Sequence, residues 1–199
     1  MSYYAVKVGR TVGIFTDDFL KTDMSSKKHN IDCDDAIDKT VKKSKMSEPT
    51  LEEVIRSNDI FKLYFDGGSR GNGSSTSVAA GGFSIHLNDD PKWQGGDYLG
   101  SATNNEAEYT GLKSGLDYAI KKGIKKISCH GDSLLVINQM NKEWQVKSDR
   151  LKSLHNECMS LSRSFDHITF KHIPRNQNSI ADSVANKIMD LKQGFIKNC

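Results

Sequence analysis

The stretch Tyr64–Asn72, with the sequence YFDGGSRGN, constrains the fold of this chain more than any other. Hydrophobic residues alternate at Phe61, Leu63 and Phe65, which is typical of a β-strand with one buried face. The alternation ends on one acid, Asp66, and two glycines follow it, which predicts a strand end and a glycine-rich turn. A carboxylate at the end of a buried strand is unfavourable unless a partner compensates its charge. The stretch therefore predicts a sheet that presents a functional acid at one edge.

Four further strands and four helices are predicted after this first strand. Two more strands cover residues 78–87 and 95–102, after a first strand at 60–66. Helix and strand then alternate: a helix at 105–121, a strand at 125–131, a short helix from Ser133, a helix through Leu151 and Leu161, a strand at 168–173 and a last helix through Ala181 and Ile188. An antiparallel meander followed by this alternation predicts an α/β fold, with a mixed five-stranded sheet flanked by helices.

The N-terminal part has a different pattern. Residues 3–15 alternate around glycines and predict a hairpin, and residues 32–41 have the apolar spacing of a short helix. Residues 46–58 are mostly polar and charged, which is typical of a linker. We therefore expect a small α+β module over residues 1–45 and a larger domain over residues 59–193.

Composition limits the classes of protein that the chain can belong to. No apolar run approaches the roughly 20 residues of a membrane helix, and the first residues lack the layout of a secretory signal. The four cysteines have no CxxC spacing, which favours reduced thiols over a zinc site. We expect an intracellular protein, cytoplasmic or nuclear, that makes no use of a membrane. Because the net charge is only +3, local patches and metal ions would have to attract any polyanionic ligand.

Four acids recur where a predicted element starts or stops, namely Asp66, Glu108, Asp132 and Asp182. Strand ends and helix starts can converge at one edge of a sheet, so these carboxylates are expected to share one pocket. Carboxylates that share a small site repel one another, whereas Mg²⁺ prefers oxygen ligands. A pair of such ions about 4 Å apart can bind the attacking and leaving oxygens of a phosphodiester. The pattern therefore indicates a metal-dependent nuclease.

Each of these acids also has a commoner role when it is considered alone. Glu108 and Asp182, as acids in a first helical turn, could simply complement the helix dipole. Asp132 could be a turn residue or an N-cap, with Ser133 as a competing cap. It is the occurrence of all four acids together, with their neighbours, that favours a shared site.

Residues 60–192 resemble type 1 ribonuclease H. The matching motifs, in order, are YFDGGSRGN, TNNEAEY, HGDS and HIPRNQNSIAD. The family's glutamate follows an asparagine pair by three residues, which corresponds to Glu108 and leaves Glu106 as a surface residue of the helix. The resemblance implies a ribonuclease H-like fold in which the four acids bind two Mg²⁺ ions, with Mn²⁺ as a substitute.

The resemblance also implies an activity and a partner. The expected reaction is endonucleolytic hydrolysis of the RNA strand of an RNA–DNA hybrid, which leaves 5′-phosphate and 3′-hydroxyl ends; the expected state is a monomer. Asn72, Asn104 and Asn105 resemble the family's minor-groove contacts, whose amides can bond a 2′-hydroxyl. Thr103 resembles a contact to a phosphate of the DNA strand. Turn and capping roles are the alternatives for these side chains.

Many family members carry a histidine before the last acid, and it is associated with product release. Counting back from Asp182, either His172 or Arg175 could take this position. We favour Arg175, because a cationic group stabilises developing phosphate charge and an arginine stays charged at every working pH. His172 lies near a predicted strand end and could simply be packed.

Residues 3–41 resemble the small hybrid-binding domain that precedes many ribonucleases H. Its candidate contacts here are Tyr4, Lys7, Arg10, Lys27 and Lys28. Asp18 and Ser26 occupy two positions at which the family has aromatic side chains. Loss of an aromatic side chain that stacks on a base weakens binding by about 1–3 kcal/mol per base. A folded module that binds hybrid poorly is the alternative.

Two other functions are compatible with parts of this pattern. One is a hybrid-binding protein whose nuclease domain has lost its activity, although all four acids are retained. The other is a different nuclease on the same sheet, such as a DNA 3′ exonuclease or an integrase. The TNN motif and the asparagines suited to 2′-hydroxyl contacts favour the ribonuclease.

Overall fold

The computed structural model describes residues 3–8, 11–16, 60–71 and 77–199. The chain divides into two compact units, Met1–Met46 and Ser47–Cys199. In the first unit, strands β1 (Tyr3–Val8) and β2 (Thr11–Thr16) form an antiparallel hairpin. The predicted hairpin is thereby confirmed, whereas the helix predicted at 32–41 and the linker at 46–58 lie outside the described residues.

The second unit is built on one six-stranded sheet with the strand order β7-β6-β3-β4-β5-β8. Strands β3, β4, β5 and β8 pair antiparallel, while β6 pairs parallel with β3 and β7. The elements are β3 (Phe61–Arg70), β4 (Val78–Leu87), β5 (Asp90–Gly100), α1 (Asn104–Lys121), β6 (Lys126–Gly131), α2 (Leu134–Met140), α3 (Asp149–Ser162), β7 (His167–His172), a 3₁₀ turn (Arg175–Gln177), α4 (Ser179–Leu191) and β8 (Phe195–Asn198). This arrangement confirms the predicted mixed α/β sheet.

Helices cover both faces of the sheet. Leu63 and Phe65 of β3 pack with Leu112 and Leu116 of α1 in the larger core, and all four side chains are fully buried. A smaller core joins Ala80 of β4 to Val184, Ile188 and Met189 of α4. Burial of these apolar side chains is the main stabilising contribution of both layers.

The glycines after Asp66 have a different role from the predicted turn. β3 continues through Gly67 to Arg70, so Asp66 lies inside the strand and does not end it. A Cβ on Gly67 would lie 2.0 Å from the Glu108 backbone nitrogen, and one on Gly111 would lie 2.4 Å from the Asp66 carbonyl oxygen. The glycines are therefore required because α1 approaches the sheet closely. Gly115 of α1 serves the same close packing, since a Cβ on Gly115 would meet Leu63 at 2.5 Å.

The far edge of the sheet also differs from the prediction. β5 begins at Asp90 and not at residue 95, because Asn88 and Asp89, at φ values of 52° and 64°, turn the chain straight from β4 into β5. β8 is an additional strand that pairs with β5 and carries the domain beyond residue 193. Its four residues are mostly exposed and have too little alternation to predict a strand.

Two observations bear on the expectations from composition. Among the described cysteines, Cys129 and Cys158 are buried free thiols and Cys199 is an exposed one. No helix in the described part of the chain has both the length and the apolar character needed to cross a membrane.

Candidate active site

The four acids predicted from the sequence line a single cleft of about 110 Å³. β3 pairs with β6 only as far as Tyr64 but with β4 as far as Arg70. Asp66 therefore lies just beyond the point at which β3 and β6 separate. This divergence makes room for the cleft. Its lining residues are Asp66, Gly67, Gly68, Asn104, Glu108, Asp132, Arg175, Asp182, Ala185, Asn186 and Met189. The structure therefore brings together four carboxylates that are up to 116 positions apart in the chain.

Asp66 and Glu108, which we call the inner pair, are almost completely buried, at 7% and 6% exposure. Burial, together with the charges of Asp132 and Asp182, raises the pKa of Asp66 to about 7. Burial also raises the pKa of Glu108 to about 9, with added repulsion from Asp66 and Asp132. The Glu108 Oε2 atom has no hydrogen-bond partner. Arg175 and the backbone N–H of Gly67 stabilise the ionised forms of the inner pair, but by less than burial and the neighbouring acids oppose them.

Glu108 is positioned by the start of α1. Thr103 is the N-cap, and it forms a capping box: its backbone N–H donates to Glu106 Oε2 at 2.8 Å, and the Glu106 N–H donates to Thr103 Oγ1 at 3.3 Å. Glu106 is therefore part of the cap, and not simply the surface residue that was predicted. Glu108 lies in the second turn of α1 and not the first, so a helix-dipole role for it is wrong.

Asp132 and Asp182, which we call the outer pair, are only partly buried and have side-chain partners. Asp132 directly follows β6, as predicted, and its Oδ1 accepts a 2.6 Å hydrogen bond from Asn178. Asp182 lies in the first turn of α4, also as predicted. Its Oδ1 is 3.0 Å from Arg175 Nη2, and Asn186 Nδ2 donates to its Oδ2 at 3.0 Å.

Arg175 and His172 differ in their relation to the cleft. Arg175 lines the cleft with a side chain that is 81% exposed, and its bond to Asp182 raises the pKa of this arginine. His172 is exposed at the end of β7, and its Nε2 lies 3.3 Å from the backbone carbonyl oxygen of Asp132. It is not among the residues that line the cleft. The geometry thus favours Arg175 as the cationic group beside the carboxylates.

A larger groove of about 360 Å³ begins beside the cleft. It is lined by Thr103, Asn104, Asn105, Ser148, Arg150 and Leu151, and Asn104 lines both the groove and the cleft. Three of the four predicted substrate contacts therefore share one surface next to the acids. The fourth, Asn72, lies outside the described residues, as do Arg10, Lys27 and Lys28, while Tyr4 and Lys7 belong to β1.

Sequence reasoning missed Asn178, Asn186 and Arg150. Asn178 is 1% exposed and bonds Asp132, a contact between residues 46 positions apart that no local pattern indicates. Asn186 lies one helical turn after Asp182, a spacing that could have identified it as a neighbour. Arg150 reaches the groove from α3, and no local pattern indicates that α3 starts beside α1.

The donor set fits a hard divalent cation, because it consists of carboxylate oxygens and includes the buried, unpaired Glu108 Oε2. Among the described residues, however, no three acid, histidine or cysteine side chains are arranged as a closed metal site. Both oxygens of Asp182 are engaged, by Arg175 and Asn186, whereas Asn178 engages only Oδ1 of Asp132. A metal ion at Asp182 would compete with its contacts to Arg175 and Asn186.

Comparison with known proteins shows one family match and several relatives. Residues 65–188 match the Reverse transcriptase-like family. The bifunctional protein Rv2228c of Mycobacterium tuberculosis is 39% identical over 129 residues, which are 63% of this chain and 34% of that protein. The ribonuclease HI of Halobacterium salinarum is 36% identical over 127 residues, which are 64% of this chain and 63% of that enzyme. The chain thus spans about a third of the mycobacterial relative and less than two thirds of the archaeal one.

Solved structures support the same relationship. The N-terminal RNase H domain of Rv2228c superposes with a TM-score of 0.63 at 35% identity, covering 67% of this chain and 96% of that one. The structure of LC11-RNase H1 in complex with an RNA/DNA hybrid gives a TM-score of 0.61 at 28% identity, covering 66% and 97%. Both matches cover nearly the whole of the solved domains. The chain therefore belongs to the Reverse transcriptase-like family, and the proteins similar to it include a ribonuclease HI and the RNase H domain of Rv2228c.

Proposed function

We propose that this protein is an endonuclease that hydrolyses the RNA strand of RNA–DNA hybrids and leaves 5′-phosphate and 3′-hydroxyl ends. The observation that carries the proposal is that four carboxylates from four elements line one cleft, which continues into a groove lined by asparagines and an arginine. One relative is named ribonuclease HI, and one similar structure contains an RNA/DNA hybrid. The substrate class is proposed from these two.

Asp66, Glu108, Asp132 and Asp182 would bind two Mg²⁺ ions, with Mn²⁺ as a substitute. When bound, such ions supply an activated water for in-line attack and stabilise the leaving 3′ oxygen. The raised pKa values of the inner pair mean that, without a metal ion, Glu108 is protonated and Asp66 is partly protonated near neutral pH. Divalent cations would displace these protons, so we expect metal binding to tighten as the pH rises.

The groove would hold the substrate so that one ribose lies next to the acids. Asn104 is suited to this because it borders both the groove and the cleft. Asn104 and Asn105 would bond 2′-hydroxyl groups, which distinguish RNA from DNA. Thr103 and Arg150 would contact phosphates of the DNA strand, where a guanidinium group is a strong partner.

Arg175 would bind the phosphate at the mouth of the cleft and assist release of the cut strand. It is exposed and charged at every working pH, so it can hold a phosphate but cannot act as a titrating acid. Its ion pair with Asp182 would be exchanged for the substrate phosphate on binding. This exchange would also free an Asp182 oxygen.

A hybrid-binding protein without nuclease activity remains the second candidate. The observation that favours it is that both Asp182 oxygens are engaged by protein side chains, Arg175 and Asn186. Both candidates share the groove and differ only in whether the carboxylates bind catalytic ions. Cleavage, not binding, therefore distinguishes them.

The test is a cleavage assay on an end-labelled RNA–DNA hybrid, with duplex DNA and duplex RNA as matched substrates. We expect internal cuts in the RNA strand of the hybrid that require Mg²⁺ and carry 5′-phosphates. The Asp66→Asn variant should bind hybrid but not cut it. Full activity of that variant, or release of single nucleotides, would overturn the proposal.

We further propose that residues 1–45 form an auxiliary hybrid-binding module through Lys27, Lys28 and their neighbours. Deletion of residues 1–50 should weaken hybrid binding and flatten its dependence on salt, because phosphate contacts release counterions. An unchanged Kd and an unchanged salt slope would show that the module contributes nothing to binding.

A further inference from the structure

Asn178 connects three of the elements that carry the acids of the cleft. Its side chain is 1% exposed. The Nδ2 atom donates to the carbonyl oxygen of Phe65, directly before Asp66, at 2.8 Å and to Asp132 Oδ1 at 2.6 Å. The Asn178 carbonyl accepts from the Asp182 N–H at 3.1 Å. One residue thus bonds the side chain of Asp132, the backbone next to Asp66 and the backbone of Asp182.

We infer that Asn178 is a positioning residue, which fixes the Asp132 carboxylate relative to Asp66 in readiness for a divalent cation. The inference rests on the proposed function, because the cation site is part of it. Asn178 does not line the cleft, so it would act through Asp132 and not by touching the substrate.

Capping of α4 does not account for the side-chain hydrogen bonds of Asn178. Asn178 is the N-cap of α4, and an asparagine N-cap normally accepts a hydrogen bond from the first turn through Oδ1. Here the side chain makes no capping bond, and Oδ1 is buried without a partner. An unpaired buried oxygen is unfavourable. The side-chain amide is therefore oriented to donate to Phe65 and Asp132, and the first turn of α4 has no side-chain capping bond from Asn178.

The chemical effect follows from the two donated bonds. A hydrogen bond to a carboxylate is stronger than one between neutral groups, so it holds one Asp132 oxygen and leaves the other to face a ligand. The bond to the Phe65 carbonyl fixes the same amide to β3. Partners of this kind orient metal ligands, and their loss typically weakens metal affinity or activity by about 10–100-fold.

The test compares Asn178→Ala with Gln139→Ala as a matched control. Gln139 is also a buried amide, at 5% exposure, but it bonds Tyr109 at 2.7 Å and the Gln145 carbonyl at 3.2 Å, and it does not line the cleft. Mg²⁺ affinity is measured by calorimetry on the folded proteins, and kcat and KM are measured on a hybrid. We expect Asn178→Ala to bind Mg²⁺ about 10–100-fold more weakly and to lose kcat with little change in KM. Gln139→Ala should keep the wild-type Mg²⁺ affinity.

Each outcome has a distinct meaning. Equal Mg²⁺ affinity and kcat in the two variants would overturn the positioning role. Failure of the wild-type protein to bind Mg²⁺ would instead overturn the proposed function. If Asn178→Ala does not fold, the wild-type side-chain amide can be followed by NMR, where its protons should exchange slowly with solvent and shift on addition of Mg²⁺. An amide signal that Mg²⁺ leaves unmoved would contradict the inference.

Discussion

The inner and outer pairs of the cleft are held in two different ways. Asp66 and Glu108 are placed by backbone packing, because Gly67 and Gly111 allow β3 and α1 to approach closely. Asp132 and Asp182 are placed by side-chain hydrogen bonds from neighbouring amides and an arginine. The first arrangement buries carboxylates and raises their pKa, while the second leaves them partly solvated. The same chemical group is thus buried on one side of the site and partly exposed to solvent on the other.

The largest expected effect comes from removing a charge of the inner pair. Asp66→Asn keeps the side-chain volume, so the fold and hybrid affinity should be retained. Because metal ions contribute several kcal/mol to the transition state, kcat should fall by about 10³-fold or more. Single-turnover cleavage of a labelled hybrid measures this effect. A loss of less than tenfold would mean that Asp66 is dispensable.

The packing that positions the inner pair can be tested with adjacent glycines. In Gly67→Ala the new Cβ would lie 2.0 Å from the backbone of Glu108, whereas in Gly68→Ala it would meet the flexible end of Met189 at 2.9 Å. We expect Gly67→Ala to lose about 1–3 kcal/mol of unfolding free energy, or more, and to lose activity. Gly68→Ala should be affected much less. Similar denaturant midpoints for the two variants would contradict this account of the glycines.

The raised pKa values predict a pH dependence of stability in EDTA. An ordinary carboxyl has a pKa of about 4, so folded Glu108, at about 9, stays protonated where the unfolded chain has lost its proton. The contribution of Glu108 to the free energy of unfolding is fully present below about pH 4. It is lost as the pH rises towards 9.

The measurement is urea unfolding of the wild type and of Glu108→Gln between pH 5 and pH 9, since the variant lacks this titration. We expect the wild type to lose stability relative to Glu108→Gln across this window, and Mg²⁺ to restore part of the loss. A wild type that gains stability relative to the variant as the pH rises would show that Glu108 is ionised in the folded protein.

The outer side of the cleft offers a paired test of Arg175 and His172. Arg175→Ala removes the cation beside Asp182, so kcat should fall by about tenfold through slower transfer or release of phosphate. His172→Ala should change kcat little, because His172 does not line the cleft. Steady-state and burst kinetics on a hybrid separate chemistry from release. A larger loss for His172→Ala would reverse the assignment.

The smallest expected effect lies in the groove. Arg150→Ala should weaken hybrid binding severalfold and reduce the salt slope of Kd by about one, as expected when one phosphate contact is lost. Lys152→Ala is the control, because Lys152 lies on the same helix but pairs with Asp149 and does not line the groove. Equal effects of the two variants would mean that hybrid binding depends on the overall positive charge and not on a contact of Arg150.

Local pattern was sufficient to predict most elements but not the reasons for their glycines. The strand predicted at 78–87 agrees with β4 at its observed bounds. β3 was predicted to end four residues too early, since Gly67 and Gly68 were interpreted as a turn. Whether a glycine serves a turn or an approaching helix depends on the partner element, which the local sequence does not contain. β8 was missed because its pairing with β5 supplies most of its order.

The site shows the same limit. The convergence of the four acids was predictable, because strand ends and helix starts meet at one edge of a sheet. Asn178 and Arg150 were not, because their roles depend on where a side chain points across elements distant in sequence. The predicted roles of Asn72 and of residues 1–45 stay predictions, since the described residues do not include the contacts concerned.

The most direct test of the account is an anomalous-difference map from crystals of the wild-type protein grown with Mn²⁺. The account predicts two peaks about 4 Å apart, in contact with the carboxylates of the inner and outer pairs. Peaks located elsewhere on the protein, with none among these four side chains, would contradict it.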